Sequence, residues 1–436
     1  MATGKIRLNT AISMVIANMI GTGVFTSLGF QLFGVQSGFG IVLLWLLGGI
    51  IALCGALSYG ELASAMPRSG GEYNYLSNIF HPMLGFVAGW VSVIVGFAAP
   101  VALSAIALGK YVNKVYPNVN MVMLASVVVV FMTIIHSFTL KRSAIFQDAS
   151  TIVKLILMVG IILVAFILGT SQHVSILPMN SDIKEQSWKA IFSSSFAVSL
   201  NWIYYSYSGW NAAAYVANDM ENPKVNIPKA LIFSTLVVTV LYLLINYAFL
   251  YTAPISELKG QVEVGYISAS HIFGTNGGNI MAILIAITLI SSVSSLVFIG
   301  PRIAQVMGED LPQISILAKL NKHSIPVLAT VVQSSITLAL ILTSTFESVL
   351  LYAGFTLNLF SFLTVFGLMV MRWNRKDLVS TFKVPLYPIP PLIFLALSAW
   401  TLYFTLTEHP RESIYGLLTI LAGSVIYFIK KPKQTA

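Results

Sequence analysis

Charged residues and cysteine are both scarce in this chain of 436 residues. Asp, Glu, Lys and Arg make up only 9% of it and hydrophobic residues 57%, whereas soluble domains carry about 25% charged residues. This shortage excludes a water-soluble globular fold. The single cysteine, Cys54, excludes an internal disulfide and a thiolate metal cluster. No two of the six histidines stand four residues apart, as on a zinc-binding helix, so we predict no metal and no cofactor.

Catalytic sequence patterns are also missing. The chain has no His-Glu-x-x-His and no Gly-x-Ser-x-Gly sequence, and no two carboxylates fall together in the middle of an apolar segment. We therefore predict that the protein is not an enzyme. The net charge of +9 would by itself suit binding to nucleic acid, but clusters of Lys and Arg in a membrane protein report its topology. No nucleic acid partner is expected.

Long apolar runs are what the sequence has in abundance. A membrane-spanning helix needs about 20 apolar residues, and twelve segments of about this length or longer are separated by prolines, glycines and charged residues. They cover residues 9–34, 39–66, 81–113, 119–138, 144–170, 190–217, 228–253, 276–307, 325–345, 347–372, 388–407 and 411–430. The sequence predicts an all-α membrane protein of about twelve transmembrane helices, with a single domain over residues 1–436.

The basic residues are distributed unequally between the two ends of these helices. If the N-terminus is cytoplasmic, seventeen Lys and Arg residues lie in inward-facing segments, six in outward-facing ones and Lys154 within a span, which accounts for all 24. The positive-inside rule selects this orientation. We therefore predict a multi-pass protein of a plasma membrane or bacterial inner membrane, in contact with the lipid bilayer and with both termini cytoplasmic.

Two predicted spans contain small and polar residues near the middle of the membrane. The first contains Gly21 and Gly23, and the sixth contains Ser206, Ser208 and Gly209. We predict that both helices are broken there, although the glycines could instead permit close helix packing. An unwound segment presents N–H groups to a carboxylate and carbonyl groups to an ammonium, and this pair of groups defines an amino acid. Matching breaks in two halves of a membrane protein are typical of a transporter site.

Four motifs resemble those of the amino acid, polyamine and organocation (APC) superfamily, most closely its L-type amino acid transporter branch. They are residues 20–25, residues 59–62 with 66–73, residues 208–211, and residues 300–302 with 310–312. The resemblance implies two inverted repeats of five helices, over 1–170 and 190–372, that transport by alternating access. Helices eleven and twelve, in 388–430, would then lie outside the repeats as peripheral helices.

The resemblance also implies which residues bind the substrate. The carboxylate would meet Gly21, Thr22 and Gly23 of the first break, and the ammonium would meet the carbonyl groups of Met19, Tyr205, Ser206 and Ser208. The predicted substrate-binding residues are Met19, Ile20, Gly21, Thr22, Gly23, Tyr205, Ser206 and Ser208. Tyr205 falls where such transporters carry a gating aromatic residue; the alternative is a core aromatic residue packed at a kink.

One feature departs from the animal members of the L-type branch. Those transporters bond a single-span partner through a cysteine in the loop between helices three and four. The corresponding loop here, residues 110–120, contains no cysteine. No disulfide-linked partner subunit is therefore expected.

Lys154 falls well inside the fifth predicted span. A continuous helix from Lys141 and Arg142 would place it about 20 Å from that end, where a buried ammonium needs oxygen partners. If the helix instead begins near Ala149, the lysine is shallow enough to snorkel to the membrane surface. The eighth span supplies the oxygen partners, and the predicted coupling residues are Lys154, Ser291, Ser292, Ser294 and Ser295.

Related transporters carry a fifth-helix lysine where sodium-coupled proteins of the same fold hold an ion, which implies sodium-independent exchange. Two alternatives stay open: a proton symporter in which Lys154 titrates, and a transporter-like nutrient sensor that binds without flux. Acidic residues such as Glu61 and Glu72 fall toward cytoplasmic ends, and Glu347 toward an outer end. With no carboxylate expected at mid-depth, the sequence favours neutral L-amino acids as substrates.

Overall fold

The computed structural model describes residues 5–138, 141–172, 174, 191, 193–323, 325–375 and 377–429, with the backbone alone at 141–150 and 312–313. Over these residues the chain is helical and contains no strand beyond one isolated bridge between Ile6 and Met220. The extreme termini, whose side of the membrane the sequence predicts, lie outside the described residues. So do Lys184 and Lys189 of the predicted outward-facing segments and Lys376 of a predicted inward-facing segment.

The helices follow one another with short connections. In the first part of the chain they are α1 Leu8–Met19, α2 Thr22–Thr26, α3 Leu28–Gly34, α4 Gly38–Ala65, α5 Glu72–Ile79, α6 Pro82–Val91, α7 Ala99–Val115, α8 Met121–Phe138 and α9 Lys141–Leu168. In the second part they are α10 Ser194–Tyr207, α11 Pro223–Thr252, α12 Ile255–Leu258, α13 Val264–Asp310, α14 Val327–Thr343, α15 Phe346–Asn374, α16 Ile389–Glu408 and α17 Pro410–Ile429.

The helices coincide with the twelve predicted spans. Within the described parts of the chain, nine helical segments are long and apolar enough to cross a membrane. The other three predicted spans correspond to α10, to α14 and to α17. The prediction of an all-helical, multi-pass membrane protein is therefore confirmed.

Both predicted helix breaks are present. Helix α1 ends at Met19, Ile20 and Gly21 have non-helical backbone angles, and the chain becomes helical again at Thr22. Helix α10 ends at Tyr207, and after a turn the chain continues as a 3₁₀ helix over Ala212–Asp219. Each break removes regular backbone hydrogen bonds in the interior of a span, which a lipid-exposed segment could not tolerate.

Two further irregularities shape the interior. A π-helix over Ser92–Ala98 joins α6 to α7 within one long span, and such π-helical turns are frequent at functional sites. Helix α13 is interrupted at Gly274, whose φ is 70°. The part of α13 after this interruption begins close to the predicted start of the eighth span, at residue 276.

The last two helices lie at the periphery. Only 33% of the apolar stretch of α16 is buried, against 78% for the segment Pro82–Val115. Helix α17 exposes large apolar side chains, which are Ile414, Leu417, Leu418, Leu421 and Phe428. Exposed apolar surface of this kind suits contact with lipid, and the predicted peripheral position of these helices is confirmed.

Candidate functional site

A cavity lies between the two broken helices. Seven of the eight predicted substrate-binding residues line it, and these are Met19, Gly21, Thr22, Gly23, Tyr205, Ser206 and Ser208. The eighth, Ile20, is 1% exposed and packs in the hydrophobic core. The π-helix contributes Gly96 and Phe97 to the lining of the cavity. The structure thus brings both breaks to one shared cavity.

The first break exposes the start of a helix to this cavity. Gly21 precedes α2 without any side-chain cap for the first N–H groups. Ser27 has helical angles and joins α2 to α3, so helical backbone runs from Thr22 to Gly34. The uncapped N–H groups and the positive end of the helix dipole favour an anion at this point.

The two broken helices are in direct contact beside the cavity. Ser27 Oγ lies 3.0 Å from Ser206 Oγ and also donates a hydrogen bond to the carbonyl oxygen of Gly23 at 2.6 Å. A Cβ atom at Gly23 would lie 2.5 Å from Ser206 Cα. Gly209 has a φ of 96°, and a Cβ atom there would lie 2.8 Å from the carbonyl oxygen of Asn18. Glycine is therefore required at both positions for the helices to approach.

Tyr242 of α11 joins the two breaks, and sequence reasoning missed it. Its hydroxyl lies 2.5 Å from the carbonyl oxygen of Met19 and 3.1 Å from that of Ser206. These are two of the carbonyl groups that the resemblance assigns to the substrate ammonium. Each carbonyl oxygen has a second lone pair, so Tyr242 fixes the position of both groups while leaving each one able to accept another hydrogen bond.

Lys154 is buried in the position that a continuous α9 implies. It is 2% exposed, and its Nζ atom donates a hydrogen bond to Ser292 Oγ at 2.9 Å. Ser292 in turn lines the cavity. The lysine therefore does not snorkel to a surface. Its ammonium is connected through the Ser292 side chain to the cavity between the broken helices.

The other predicted coupling serines have different surroundings. Ser295 lines the cavity. Ser294 Oγ instead lies 2.8 Å from Nε2 of His136, a buried histidine on α8. The hydroxyl of Ser291 has no hydrogen-bond partner among the described residues. The hydrogen bond described for Lys154 is the one to Ser292.

Glu72 also lines the cavity, whereas the sequence predicts a place toward the cytoplasmic end of a span. It is the first residue of α5, and this short helix folds back against the interior, leaving Glu72 4% exposed. Four neutral groups donate hydrogen bonds to its carboxyl oxygens, and they belong to Tyr59, Asn211, Tyr215 and Ser361. Burial raises the pKa of Glu72 and outweighs these hydrogen bonds, which lower it.

Comparison with known families agrees with this geometry. The family model described as amino acid permease matches residues 6–429. The chain belongs to this family. It is therefore an amino acid transporter and not an enzyme, and the resemblance to the APC superfamily is confirmed.

Curated relatives of this permease match it over 80–98% of their own length. The b(0,+)-type amino acid transporter 1 of Mus musculus is 27% identical over 434 residues, covering 98% of this chain and 87% of the relative. The large neutral amino acids transporter small subunit 2 of Oryctolagus cuniculus is also 27% identical, covering 98% and 80%. The serine/threonine exchanger SteT of Bacillus subtilis (strain 168) is 28% identical over 443 residues, covering 99% and 98%.

The motifs that carry the resemblance meet in this permease. Arg68 Nη2 lies 2.5 Å from Asp310 Oδ1, and the hydroxyl of Tyr73 donates to Asp310 Oδ2 at 2.8 Å. Glu61 accepts two hydrogen bonds from the guanidinium group of Arg372, at 2.7 and 2.5 Å. The first two contacts tie the segment after α4 to the end of α13, and the Glu61 contact ties α4 itself to the end of α15. Because Tyr73 directly follows Glu72, the contacts with Asp310 hold Glu72 in the interior.

Proposed function

We propose that this permease is a sodium-independent exchanger of neutral L-amino acids that works by alternating access in a cell membrane, with both termini cytoplasmic. The observation that carries the proposal is the pair of broken helices facing one cavity. Substrate exchange requires a site that both sides of the membrane can reach in turn, and interrupted helices at the midplane are typical of such sites. Residues 1–170 and 190–372 would form the two repeats.

The chemistry of the breaks supports a zwitterionic substrate. The uncapped N–H groups at Thr22 and Gly23 suit a carboxylate. The carbonyl groups that Tyr242 positions, those of Met19 and Ser206, suit an ammonium. In this proposal Tyr205, which lines the same cavity, closes over the bound amino acid as a gate.

Lys154 supports sodium independence. Its ammonium is a cation that belongs to the protein itself and is held by Ser292 against the cavity wall. In the resemblance a lysine at this place substitutes for a bound ion. A protein that supplies its own positive charge here does not require sodium to complete the site.

The surroundings of Glu72 support neutral substrates. Both of its carboxyl oxygens already accept hydrogen bonds from neutral side chains. The cavity therefore does not present a bare carboxylate to a cationic side chain.

The one cysteine, Cys54, is buried, so we also propose that the permease works without a disulfide-linked partner.

Counterflow in proteoliposomes tests the proposal. We expect labelled alanine, serine or leucine to enter vesicles that are preloaded with unlabelled amino acid, at the same rate with sodium or with choline outside. Empty vesicles should take up less than about a tenth as much, since exchange requires an internal substrate. Saturating lysine or arginine should not reduce the uptake, because the site offers no open counter-charge.

Three results would contradict the proposal. Uptake into empty vesicles driven by a pH gradient would instead establish a proton symporter. Competition by lysine or arginine as strong as that by alanine would refute the neutral specificity. Binding of amino acids to the purified protein without any flux would identify a nutrient sensor.

A further inference from the structure

The Glu72 carboxyl lies where four parts of the molecule meet. Its Oε1 atom accepts hydrogen bonds from the Tyr59 hydroxyl of α4 at 2.5 Å, from Asn211 Nδ2 at 3.3 Å and from the Ser361 hydroxyl of α15 at 3.4 Å. Its Oε2 atom accepts one from the Tyr215 hydroxyl at 3.1 Å. Asn211 belongs to the turn that breaks the sixth span. One carboxyl group therefore holds that break against α4, α5 and α15.

Within the described chain, no cation balances the charge of this carboxyl. The titratable groups that face Glu72 are four tyrosines: Tyr59 on α4, Tyr75 on α5, Tyr204 on α10 and Tyr215 on the 3₁₀ helix. From α15 only the hydroxyl of Ser361 reaches it. An ionised carboxylate buried without a counter-ion is costly, whereas its neutral acid is not.

The partners of Glu72 can also accommodate the neutral acid. At Oε1 the amide of Asn211 can only donate, so this oxygen must remain an acceptor. At Oε2 the single partner is the Tyr215 hydroxyl, which can donate or accept. Tyr215 also lines the cavity, so its hydroxyl can turn its hydrogen toward the cavity and accept from Oε2 when Oε2 itself carries a proton. The site thus has a complete set of partners in both states.

We propose that the Glu72 carboxyl is a proton-binding site of the transport cycle, and that a proton taken up at Oε2 weakens the hold of this carboxyl on the broken sixth span. The proton comes from water in the cavity, forms the Oε2–H bond and returns to water when the carboxyl ionises again. This inference rests on the proposed function, because it assigns a control element to the same cavity.

The consequence for transport follows from the strength of the hydrogen bonds. An ionised carboxylate accepts charge-assisted hydrogen bonds that are about twice as strong as those to a neutral acid. Protonation therefore loosens the contact between Glu72 and Asn211, and lets the segment after Gly209 rearrange more readily. Exchange should be faster at acidic pH and slow down as the pH rises through the pKa of Glu72, which burial places above its ordinary value.

The test measures counterflow from pH 5 to 8 with equal pH on both sides of the vesicle. Because the protonated fraction of a single acid falls up to tenfold per pH unit above its pKa, we expect the wild-type rate to fall as the pH rises through the pKa of Glu72, by up to about tenfold per pH unit. Glu72→Gln copies the protonated acid and should stay fast, varying by less than about twofold. Glu309→Gln is the matched control, since Glu309 is exposed and bonded only to Gln305 among described partners; it should keep the wild-type profile.

A second variant separates titration from a structural role. Tyr59→Phe removes a hydrogen bond that favours the ionised form of Glu72. The midpoint of the pH profile should therefore move to higher pH. A merely structural effect would change the rate at every pH by the same factor, and that result would overturn the proposal.

A measurement without transport keeps this inference separate from the proposed function. Infrared difference spectra of the purified protein should show the carbonyl band of a protonated carboxylic acid at a pH where ordinary glutamates are ionised. The band should be lost in Glu72→Gln and kept in Glu309→Gln. If no band depends on Glu72, the proton site is refuted, whatever the transport result. If the band is present and no amino acid exchanges, the exchange proposal alone fails.

Discussion

Gly23→Ala is expected to lower substrate affinity about five- to 100-fold and to slow exchange accordingly at ordinary substrate concentrations. The added Cβ atom would lie 2.5 Å from Ser206 Cα, so the backbone of one broken helix has to move away from the other. Overpacking of this kind costs about 1–3 kcal/mol, and each 1.4 kcal/mol is about a tenfold change in affinity. Affinity can be measured by the binding of labelled amino acid to the purified protein, and exchange by counterflow.

Gly160→Ala is the matched control for this variant. The substitution is the same, but Gly160 is within α9 and a Cβ atom there would meet nothing within 4 Å. Alanine also favours the helix by about 1 kcal/mol relative to glycine. This control should therefore bind and exchange like the wild type. Wild-type affinity in Gly23→Ala would show that contact between the two breaks is not needed to bind the substrate.

Lys154→Met is expected to reduce exchange at least about tenfold without lowering thermal stability. Methionine keeps most of the volume of the buried side chain but removes the ammonium that donates to Ser292. A hydrogen bond to a charged group contributes about 1.5–3 kcal/mol. Replacing a buried charge by an apolar side chain of similar volume is often neutral or stabilising. Lower exchange with an unchanged or higher melting temperature would therefore locate the effect in transport.

Lys229→Ala serves as the comparison for Lys154. Lys229 is an exposed residue of α11, and its replacement should change neither exchange nor the melting temperature. Unchanged exchange in Lys154→Met would mean that the buried lysine only occupies space. A loss of both exchange and stability would assign it to folding rather than to transport.

The breaks could be predicted because their cause is local. Gly21 and Gly23, and Ser206 with Ser208 and Gly209, disfavour a regular helix wherever they stand in a span. Their composition was enough to place both breaks within one or two residues of where the structure has them. The sequence leaves two places open for Lys154, a buried one and one from which it snorkels, because the start of its helix is not certain from the sequence. The structure decides between them, since α9 runs continuously from Lys141.

Tyr242 could not be predicted because its role depends on packing between distant elements. It is one of 18 tyrosines in the chain, and nothing in the sequence around it distinguishes it. Its hydroxyl meets Met19 and Ser206 only after α11 has packed against α1 and α4. For the same reason the sequence grouped Ser294 with Lys154 of α9, whereas its hydrogen-bond partner in the structure is His136 of α8.

Glu72 was misplaced for a related reason. Its position in the sequence, between two spans, is typical of a residue at the membrane surface. In the structure α5 returns into the interior, where the contacts of Arg68 and Tyr73 with Asp310 hold it. Neither the residue composition nor the hydrophobic periodicity indicates that a segment between two spans folds back into the interior. The two glycines directly before Glu72, Gly70 and Gly71, do mark a sharp change of chain direction.

The central claim is that the backbone of the two broken helices binds both charged groups of an amino acid. Competition in counterflow by blocked analogues of the transported amino acid tests it most directly. We predict that the N-acetyl derivative and the carboxyl methyl amide each compete at least about tenfold more weakly than the parent, since each loses hydrogen bonds to a charged group worth about 1.5–3 kcal/mol. If both analogues compete as well as the parent amino acid, the breaks do not bind a zwitterion and the account is wrong.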